Sequence, residues 1–506
     1  MPAAERHVRV GILGAGFGGL GTAIRLTQSG ERDFLVFERD AEVGGTWWAN
    51  TYPGCQCDIP SHLYSFSFAP NPEWTRTYSK QPELRDYLRA TATRFGLYDR
   101  IRLGCEVRAA DWDEDAGIWR LDTTDGPFTA DVVVAAPGPL SAPTIPDVPG
   151  LEEFAGTVFH TARWNHDHDL RGRRVAVIGT GASAIQAVPE IQPLVAHLDV
   201  LQRTPPWVIP HRDRPITAAE RFLYRHVPAL QRAVRGMTYA SRELLIPGLV
   251  YRPQLLRALD RLARRHIAHQ VPDPELRALV TPDYTIGCKR ILPSNKWYPA
   301  LAADNVDLVP HGLAAVRPDG IVDAAGGFHA VDTIIFATGF HVTDIPLADR
   351  VRGIGGQTMA EAWHGSPQAF RGTAVAGFPN LFFLVGPNTG TGHNSIVYMI
   401  ESQVQYVLDA LRTMREQGAA RIEVRPEAQQ AYNNRLQARL GHTVWNTGGC
   451  ASWYIDRTGK NTTIWPDFTF RFRQALRAFD PAAYTLTPKG SAASATAVAS
   501  AGPAGA

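Results

Sequence analysis

Apolar, glycine-rich and amphipathic stretches follow one another in the same order at two places in the chain. At the first, a β-branched apolar run (8–13) leads to a glycine turn (14–19), a helical pattern (20–27) and a second apolar run (34–38). At the second, the run 174–178 leads to a turn (179–184), a helix and the run 198–202. Each order predicts a βαβ unit. We therefore expect the α/β class, with two Rossmann-like dinucleotide-binding domains and a helical insertion.

Prolines and a change in residue composition mark the predicted domain boundaries. Five prolines between 136 and 150 cannot continue a helix or a central strand, so this stretch predicts a linker. Residues 210–285 are rich in Arg and Leu at helical spacing, and Pro228 predicts a kink or break there. A second crossing is expected near 331–340. The predicted division is 1–140 and 331–487 for the first domain, 150–209 and 286–330 for the second, 210–285 for the insertion, and 488–506 for a disordered tail.

Composition and charge favour a globular enzyme that acts on small molecules. The 506 residues are 44% hydrophobic, enough for two or three cores. The formal charge of +2, from 51 basic and 49 acidic side chains, offers no large field to nucleic acid or an anionic membrane. No apolar run approaches the roughly eighteen residues of a membrane span, and the N-terminal residues do not resemble a signal peptide. A soluble, cytoplasmic protein without a metal site is expected.

The five cysteines, spread over so long a chain, argue against a disulfide framework. Cys55 and Cys57 form a C-x-C that is open to two interpretations. One is a redox pair, and the other is two small residues in a turn. The turn is favoured, because redox pairs more usually read C-x-x-C.

The first glycine turn contains Gly14, Gly16 and Gly19 in the spacing G-x-G-x-x-G. The first glycine makes the turn, the second lets a pyrophosphate approach the backbone, and the third lets the helix pack on the strand. Glu38 stands 22 residues after Gly16, at the end of the next strand (38 − 16), where an acid accepts hydrogen bonds from a ribose diol. This combination predicts a dinucleotide site.

The second turn places Gly179, Gly181 and Ala184 in the spacing G-x-G-x-x-A, with Ser183 just before the alanine. The residue 22 positions after Gly181 is Arg203, not an acid (203 − 181). A guanidinium can pair bidentately with a 2′-phosphate, and Thr204 adds a hydroxyl donor, so this site should prefer NADPH to NADH. The acid in the first site and the arginine in the second predict FAD in the first domain and NADPH in the second.

Two further patterns resemble those of the type I Baeyer–Villiger monooxygenases. Just before the second glycine turn, Phe154, Gly156, His160 and Trp164 resemble that family's fingerprint. The residue after Trp164 is Asn165, where the family usually has Pro or Asp. The second pattern is Gly44-Gly45-Thr46-Trp47, then Tyr52-Pro53-Gly54, then Asp58. At the first crossing between domains, Pro137 stands where the family usually has a threonine. We expect His160 to serve a structural or domain-coupling role.

The resemblance extends to other segments and implies their roles. The block 286–290 is similar to one that presents an active-site arginine, here Arg290, beside an NADPH-binding lysine, here Lys289. Asp58 would hold Arg290 in position. Trp453 lies in a segment similar to one that closes over the nicotinamide nucleotide. The loop 386–395, which includes Asn388, precedes a helical pattern, so its amides and helix dipole would stabilise negative charge on the flavin.

The resemblance implies that NADPH reduces the flavin and that O₂ then supplies one oxygen atom to a ketone, giving an ester or a lactone. Linear, cyclic and aryl ketones all remain open. Sulfur or nitrogen oxygenation is the nearest alternative. A non-catalytic redox sensor that binds dinucleotides and a thiol reductase using Cys55 and Cys57 are alternatives from other classes.

Overall fold

The computed structural model describes residues 6–488, whose strands form two main parallel-centred sheets and three small ones. In chain order the strands are β1 (Arg6–Leu13), β2 (Phe34–Phe37), β3 (Ile101–Arg102), β4 (Val107–Asp113), β5 (Ile118–Thr123), β6 (Phe128–Ala135), β7 (Thr157–His160), β8 (Arg174–Ile178), β9 (His197–Leu201), β10 (Val208–Ile209), β11 (Leu292–Pro293), β12 (Val306–Val309), β13 (Leu313–Arg317), β14 (Gly320–Asp323), β15 (Phe328–Ala330), β16 (Thr333–Phe336), β17 (Val351–Arg352), β18 (Leu381–Phe383), β19 (Ala419–Val424) and β20 (Tyr484–Pro488).

The first sheet has the order β17-β4-β5-β6-β1-β2-β3, with β18 also paired to β6. Its centre is parallel, and Leu13 is in register with Phe37 on one side and with Ala135 on the other. The second sheet has the order β12-β9-β8-β16-β7 and is parallel throughout. Both contain the βαβ units that the sequence predicts. The α/β class with two Rossmann-like folds is therefore confirmed.

One boundary differs from the prediction. The sequence places a domain boundary at 330/331, but β16 lies in the second sheet, hydrogen-bonded between β7 and β8. The chain therefore leaves the second sheet after Phe336. The reason is that the strand's neighbours are fixed by long-range pairing, which the local apolar pattern does not specify.

The helices cover the sheets and build the insertion. They are α1 (Phe17–Gln28), α2 (Thr46–Ala49), α3 (Gln81–Arg94), α4 (Ala182–Ile191), α5 (Ala218–His226), α6 (Pro228–Glu243), α7 (Arg257–Gln270), α8 (Pro274–Val280), α9 (Trp297–Leu301), α10 (Met359–Trp363), α11 (Ile396–Glu416), α12 (Pro426–Leu440), α13 (Val444–Thr447) and α14 (Thr469–Ala475). The insertion contains α5 to α8, and Pro228 is the first residue of α6, so the predicted break is confirmed.

The two sheets have separate hydrophobic cores that meet at Trp164, which packs against both. Among residues 6–488, no helix combines the length and apolar content needed to cross a bilayer. The predicted tail lies outside the described residues except for Pro488, which ends β20.

Candidate active site

The first glycine turn has the geometry that a dinucleotide requires. Gly14 has φ +98°, and a Cβ there would lie 2.6 Å from the carbonyl oxygen of Ala136. At Gly19 a Cβ would lie 1.7 Å from the carbonyl oxygen of Gly14, so only glycine lets α1 pack on β1. Gly16 faces a gap, where the nearest atom to a Cβ is the Cα of Gly45 at 3.5 Å. A side chain would fill this gap, and its absence leaves the backbone accessible to a pyrophosphate.

Glu38 follows β2 and is buried, with 4% of its surface exposed. One carboxylate oxygen accepts the N–H of Ala15 at 2.6 Å, and the other accepts the N–H of Asp40 at 2.9 Å. Burial raises the pKa of Glu38, and these two hydrogen bonds offset part of that rise. Each oxygen keeps a further lone pair, so the acid can still accept ribose hydroxyls.

The second turn repeats this arrangement at the end of β8. Gly179 has φ +113°, and a Cβ there would lie 2.7 Å from the carbonyl oxygen of Ala337. At Gly181 a Cβ would meet no atom within 4 Å, so this backbone is fully open to a ligand. Ser183 is half-buried in the first turn of α4. Both turns therefore fit a dinucleotide.

Arg203 and Thr204 line an open cleft of about 540 Å³ beside the second turn. Lys289 lies next to this cleft, with its Nζ 5.1 Å from the ring centre of Tyr284. Burial and then the positive charge of Arg203 lower the pKa of Lys289. The two cations are thus close enough to repel each other, and an anionic phosphate would relieve that repulsion.

The segment from Gly44 to Asp58 joins the two sheets. Gly45 abuts Gly16, and Thr46 and Trp47 open the short helix α2. Further on, Gly54 has φ +78°, and a Cβ there would lie 2.5 Å from the carbonyl oxygen of Gln186 in α4. The hydroxyl of Tyr52 donates to the side chain of Gln186 at 2.9 Å. The pattern that resembles the family is therefore, in physical terms, a domain contact.

Asp58 and Arg290 form a two-point ion pair, although 232 residues separate them. Nη2 of Arg290 donates to Oδ1 of Asp58 at 2.7 Å, and Nε donates to Oδ2. Burial alone would raise the pKa of Asp58, but the charge and hydrogen bonds of Arg290 outweigh it, so the pKa is lowered. For Arg290, burial alone would lower the pKa, but the charge and hydrogen bonds of Asp58 outweigh it, so the pKa is raised. Both groups are therefore charged.

The fingerprint residues lie where the chain passes between the two sheets. Gly156 allows the ring of Phe154 to cover it, since a Cβ there would lie 2.6 Å from that ring. His160 ends β7, is 2% exposed, and accepts the N–H of Ala162 through Nδ1. Burial lowers the pKa of His160 to about 4, so it is neutral at pH 7. Together with the packing of Trp164 on both cores, these contacts favour domain coupling over direct chemistry.

Asn388 and Trp453 occupy different environments. Asn388 is 2% exposed, has φ +56°, and donates both hydrogens of its side-chain amide to the carbonyls of Asn461 and Ile464. Its side chain therefore holds the loop 386–395 against the C-terminal segment. Trp453 is half-exposed and contacts Tyr454, with ring centres 4.5 Å apart. It remains accessible to a ligand.

The cysteines require one correction. Cys288 and Cys450 form a disulfide that joins the block containing Arg290 to the segment containing Trp453. This disulfide was not predicted, because a count of cysteines cannot show that two residues 162 positions apart meet. Cys55 and Cys57 are free and buried, and burial raises the pKa of Cys55 to about 12. The thiolate needed for exchange is thereby disfavoured, which supports the turn interpretation.

Two functional contacts were not predicted. Nη1 of Arg290 donates to the carbonyl of Thr391 at 3.3 Å, which connects the arginine to the glycine loop. Glu243, at the end of α6, accepts from Asn394 at 2.6 Å and from Thr469 at 2.6 Å, which ties the insertion to the same loop. Both are contacts across long sequence distances, and the polar loop 386–395 was the only available signal.

Known proteins share this architecture. A family profile described as pyridine nucleotide-disulphide oxidoreductase matches residues 12–220. The chain is 53% identical over 488 residues to a Baeyer-Villiger monooxygenase of Pseudomonas aeruginosa, covering 96% of this chain and 93% of the relative. A Baeyer-Villiger monooxygenase of Streptomyces coelicolor is 52% identical, with 95% and 93% covered.

Solved structures give the same result. Cyclohexanone monooxygenase from Rhodococcus sp. Phi1, bound to NADP+, has a TM-score of 0.84 and 28% identity, covering 96% of this chain and all of that one. A steroid monooxygenase bound to NADP has a TM-score of 0.83 and 31% identity, covering 95% and 99%.

Two dinucleotide folds, with a charged Asp58–Arg290 pair linking their segments, define an FAD- and NADPH-dependent flavoprotein monooxygenase. The chain belongs to the Baeyer–Villiger monooxygenase family. The predicted family, cofactors and ketone-oxygenating activity are confirmed by these relatives.

Proposed function

We propose that the first glycine turn holds FAD, that the second holds NADPH, and that Arg290 stabilises the charge that develops on the ketone oxygen. The two turns differ in one decisive respect, since Glu38 follows the first and Arg203 follows the second. An acid suits a ribose diol, whereas a guanidinium suits a 2′-phosphate. When bound, reduced FAD supplies the activation of O₂, and the chain supplies orientation and electrostatics.

The single observation that carries this proposal is the environment of Arg290. Its guanidinium has five N–H groups, of which two bind Asp58 and one binds the carbonyl of Thr391, so two remain without a partner among residues 6–488. The side chain is 27% exposed and is held rigidly at two points. Free donors on a fixed cation are suited to stabilising an oxyanion, because no reorganisation is needed when the charge appears.

Asp58 is proposed as the positioning residue for this cation. A fixed guanidinium without a carboxylate would be costly in a partly buried site, and a two-point contact also fixes its plane. Lys289, Arg203 and Thr204 are proposed to bind the coenzyme phosphate, with Ser183 at the pyrophosphate and Trp453 over the nucleotide. A cytoplasmic location stays a prediction from the sequence.

The proposed reaction is tested by product identity. The purified yellow protein is supplied with NADPH, ¹⁸O₂ and a panel of linear, cyclic and aryl ketones together with sulfides. We expect an ester or a lactone carrying one ¹⁸O atom, which requires both O₂ and NADPH. Sulfoxides from the sulfides with every ketone unchanged would contradict ketone oxygenation and favour the heteroatom alternative.

A further inference from the structure

A cluster of histidines and carboxylates lies at the edge of the second sheet, away from the nucleotide turns. His197 and Asp199 are two residues apart in β9, so their side chains share one face. Asp307 in the neighbouring strand β12 is the register partner of Asp199 and points to that same face. One ligand atom from each residue lies within 4.8 Å of those of the other two.

Two distances within this cluster are close to those between the ligands of one metal ion. Nε2 of His197 lies 3.3 Å from an oxygen of Asp307 and 3.6 Å from Oδ1 of Asp199. Ligands bound at about 2.0–2.1 Å in a tetrahedron are separated by roughly 3.3–3.4 Å. Both distances are also within the range of an ion pair between an imidazolium and a carboxylate.

Asp199 provides an independent observation. Its side chain is 2% exposed, and its Oδ2 is buried without a hydrogen-bond partner among residues 6–488. A buried carboxylate oxygen without a hydrogen-bond partner is unfavourable, and a cation held by this carboxylate would offset that cost. Asp307, by contrast, is 71% exposed, which leaves an open side for entry and for a water ligand.

A second layer of side chains holds Asp199 in place. Nδ1 of His329 lies 3.0 Å from Oδ1 of Asp199, and Nε2 of His329 lies 3.2 Å from Asp323. Asp323 in turn accepts the N–H groups of Ala325 and Gly327 at 2.8 and 2.9 Å. Protein metal sites commonly orient their ligands through such outer hydrogen bonds.

We propose that His197, Asp199 and Asp307 bind a divalent transition-metal ion, with Zn²⁺ as the chemically best match. One imidazole and two carboxylates suit Zn²⁺, whereas Mg²⁺ and Ca²⁺ prefer more ligands and oxygen alone. No local pattern indicates this site, since Asp307 stands 110 positions after His197 (307 − 197). The pairing of β9 with β12 brings them together.

The role of the ion is structural. His197 begins β9 and Arg203 follows the end of that strand, six residues later, or about 20 Å in an extended strand. The ion would clamp the edge strand β12 to β9, and through His329 it would hold the hairpin formed by β14 and β15. Binding should therefore raise the thermal midpoint while leaving turnover unchanged.

The test uses the full-length, FAD-loaded protein without a histidine tag, treated with a chelator and then dialysed. Zn²⁺ is titrated by calorimetry, metal content is measured by mass spectrometry, and unfolding is followed by circular dichroism. We expect one equivalent of Zn²⁺ with a Kd of about 1 μM or tighter, and a higher Tm. Mg²⁺ at the same concentration should not shift Tm.

Variants assign the site. His197→Ala and Asp307→Ala should weaken Zn²⁺ binding at least tenfold, and His329→Ala should weaken it by about 10–100-fold. Asp307 is largely exposed, so its variant should fold even if the others do not. His341→Ala is the matched control, because His341 pairs with Asp344 elsewhere on the surface. No stoichiometric Zn²⁺, or equal binding by the parent and the Asp307 variant, would overturn the proposal.

Discussion

Replacing Arg203 with alanine should change the coenzyme preference of the enzyme. The side chain is exposed in the cleft beside the second glycine turn, with Thr204 next to it and the cation of Lys289 nearby. A charge-assisted hydrogen bond contributes about 1.5–3 kcal/mol. Solvent screens an exposed contact, so we expect the lower end of this range, or a loss of about tenfold.

The assay is steady-state NADPH and NADH oxidation, with KM measured for both coenzymes in each variant. Arg203→Ala should raise KM for NADPH about tenfold and leave KM for NADH nearly unchanged. Arg203→Lys should fall between, because an ammonium keeps the charge but loses the planar fork. Arg173→Ala is the control, since Arg173 is exposed immediately before β8, at the opposite end of the same sheet. Equal losses for both coenzymes would refute the phosphate assignment.

Three further predictions concern binding and stability. Glu38→Ala should lower the FAD content of the purified protein, seen as a weaker flavin absorbance, while the NADPH preference stays unchanged; full FAD occupancy at dilute protein would contradict this assignment. Gly54→Ala should lose about 1–3 kcal/mol of unfolding free energy, because its Cβ would lie 2.5 Å from the carbonyl oxygen of Gln186. Gly96→Ala, with φ +63° and no atom within 4 Å of its Cβ, should lose less in the same denaturant titration. Burial lowers the pKa of His160 from 6.5 to about 4, so the unfolded chain binds a proton that the folded protein resists. His160 should therefore contribute a fall on the order of 3 kcal/mol in unfolding free energy as pH drops from about 6.5 to 4. An unchanged slope in His160→Gln would contradict this.

The parts of the fold that were predictable are those set by local spacing. The glycine turns, the strands beside them and the positions of Glu38 and Arg203 follow from periodicity within about forty residues. The glycine that begins each turn, Gly14 or Gly179, is required by backbone contacts that the motif already encodes. These predictions agree with the observed β1, α1, β2, β8, α4 and β9.

The parts that were not predictable depend on contacts between distant residues. Strand β16 looks like any buried strand, and only its pairing with β7 and β8 assigns it to the second sheet. The Cys288–Cys450 disulfide, the contact of Arg290 with Thr391 and the histidine–carboxylate cluster all join segments far apart in the chain. The Asp58–Arg290 pair was anticipated because a family resemblance supplied the long-range information that spacing lacks.

The central claim is that Arg290 stabilises charge during oxygen transfer but is not needed for hydride transfer. Hydride transfer comes first, before negative charge develops on the ketone oxygen, so Arg290→Ala should still oxidise NADPH. Loss of one fixed electrostatic donor typically removes about 10²–10³ of rate from the step it serves. Asp58→Ala should show the same defect more mildly, because Arg290 keeps its charge but loses its two-point support.

The most direct test is the ratio of ester formed to NADPH consumed, measured with H₂O₂ release for the parent and for Arg290→Ala. For the parent the ratio should be near one. For the variant it should fall toward zero, while stopped-flow flavin reduction continues and H₂O₂ accounts for the NADPH consumed. Coupled ester formation by Arg290→Ala at a rate close to that of the parent would contradict the account.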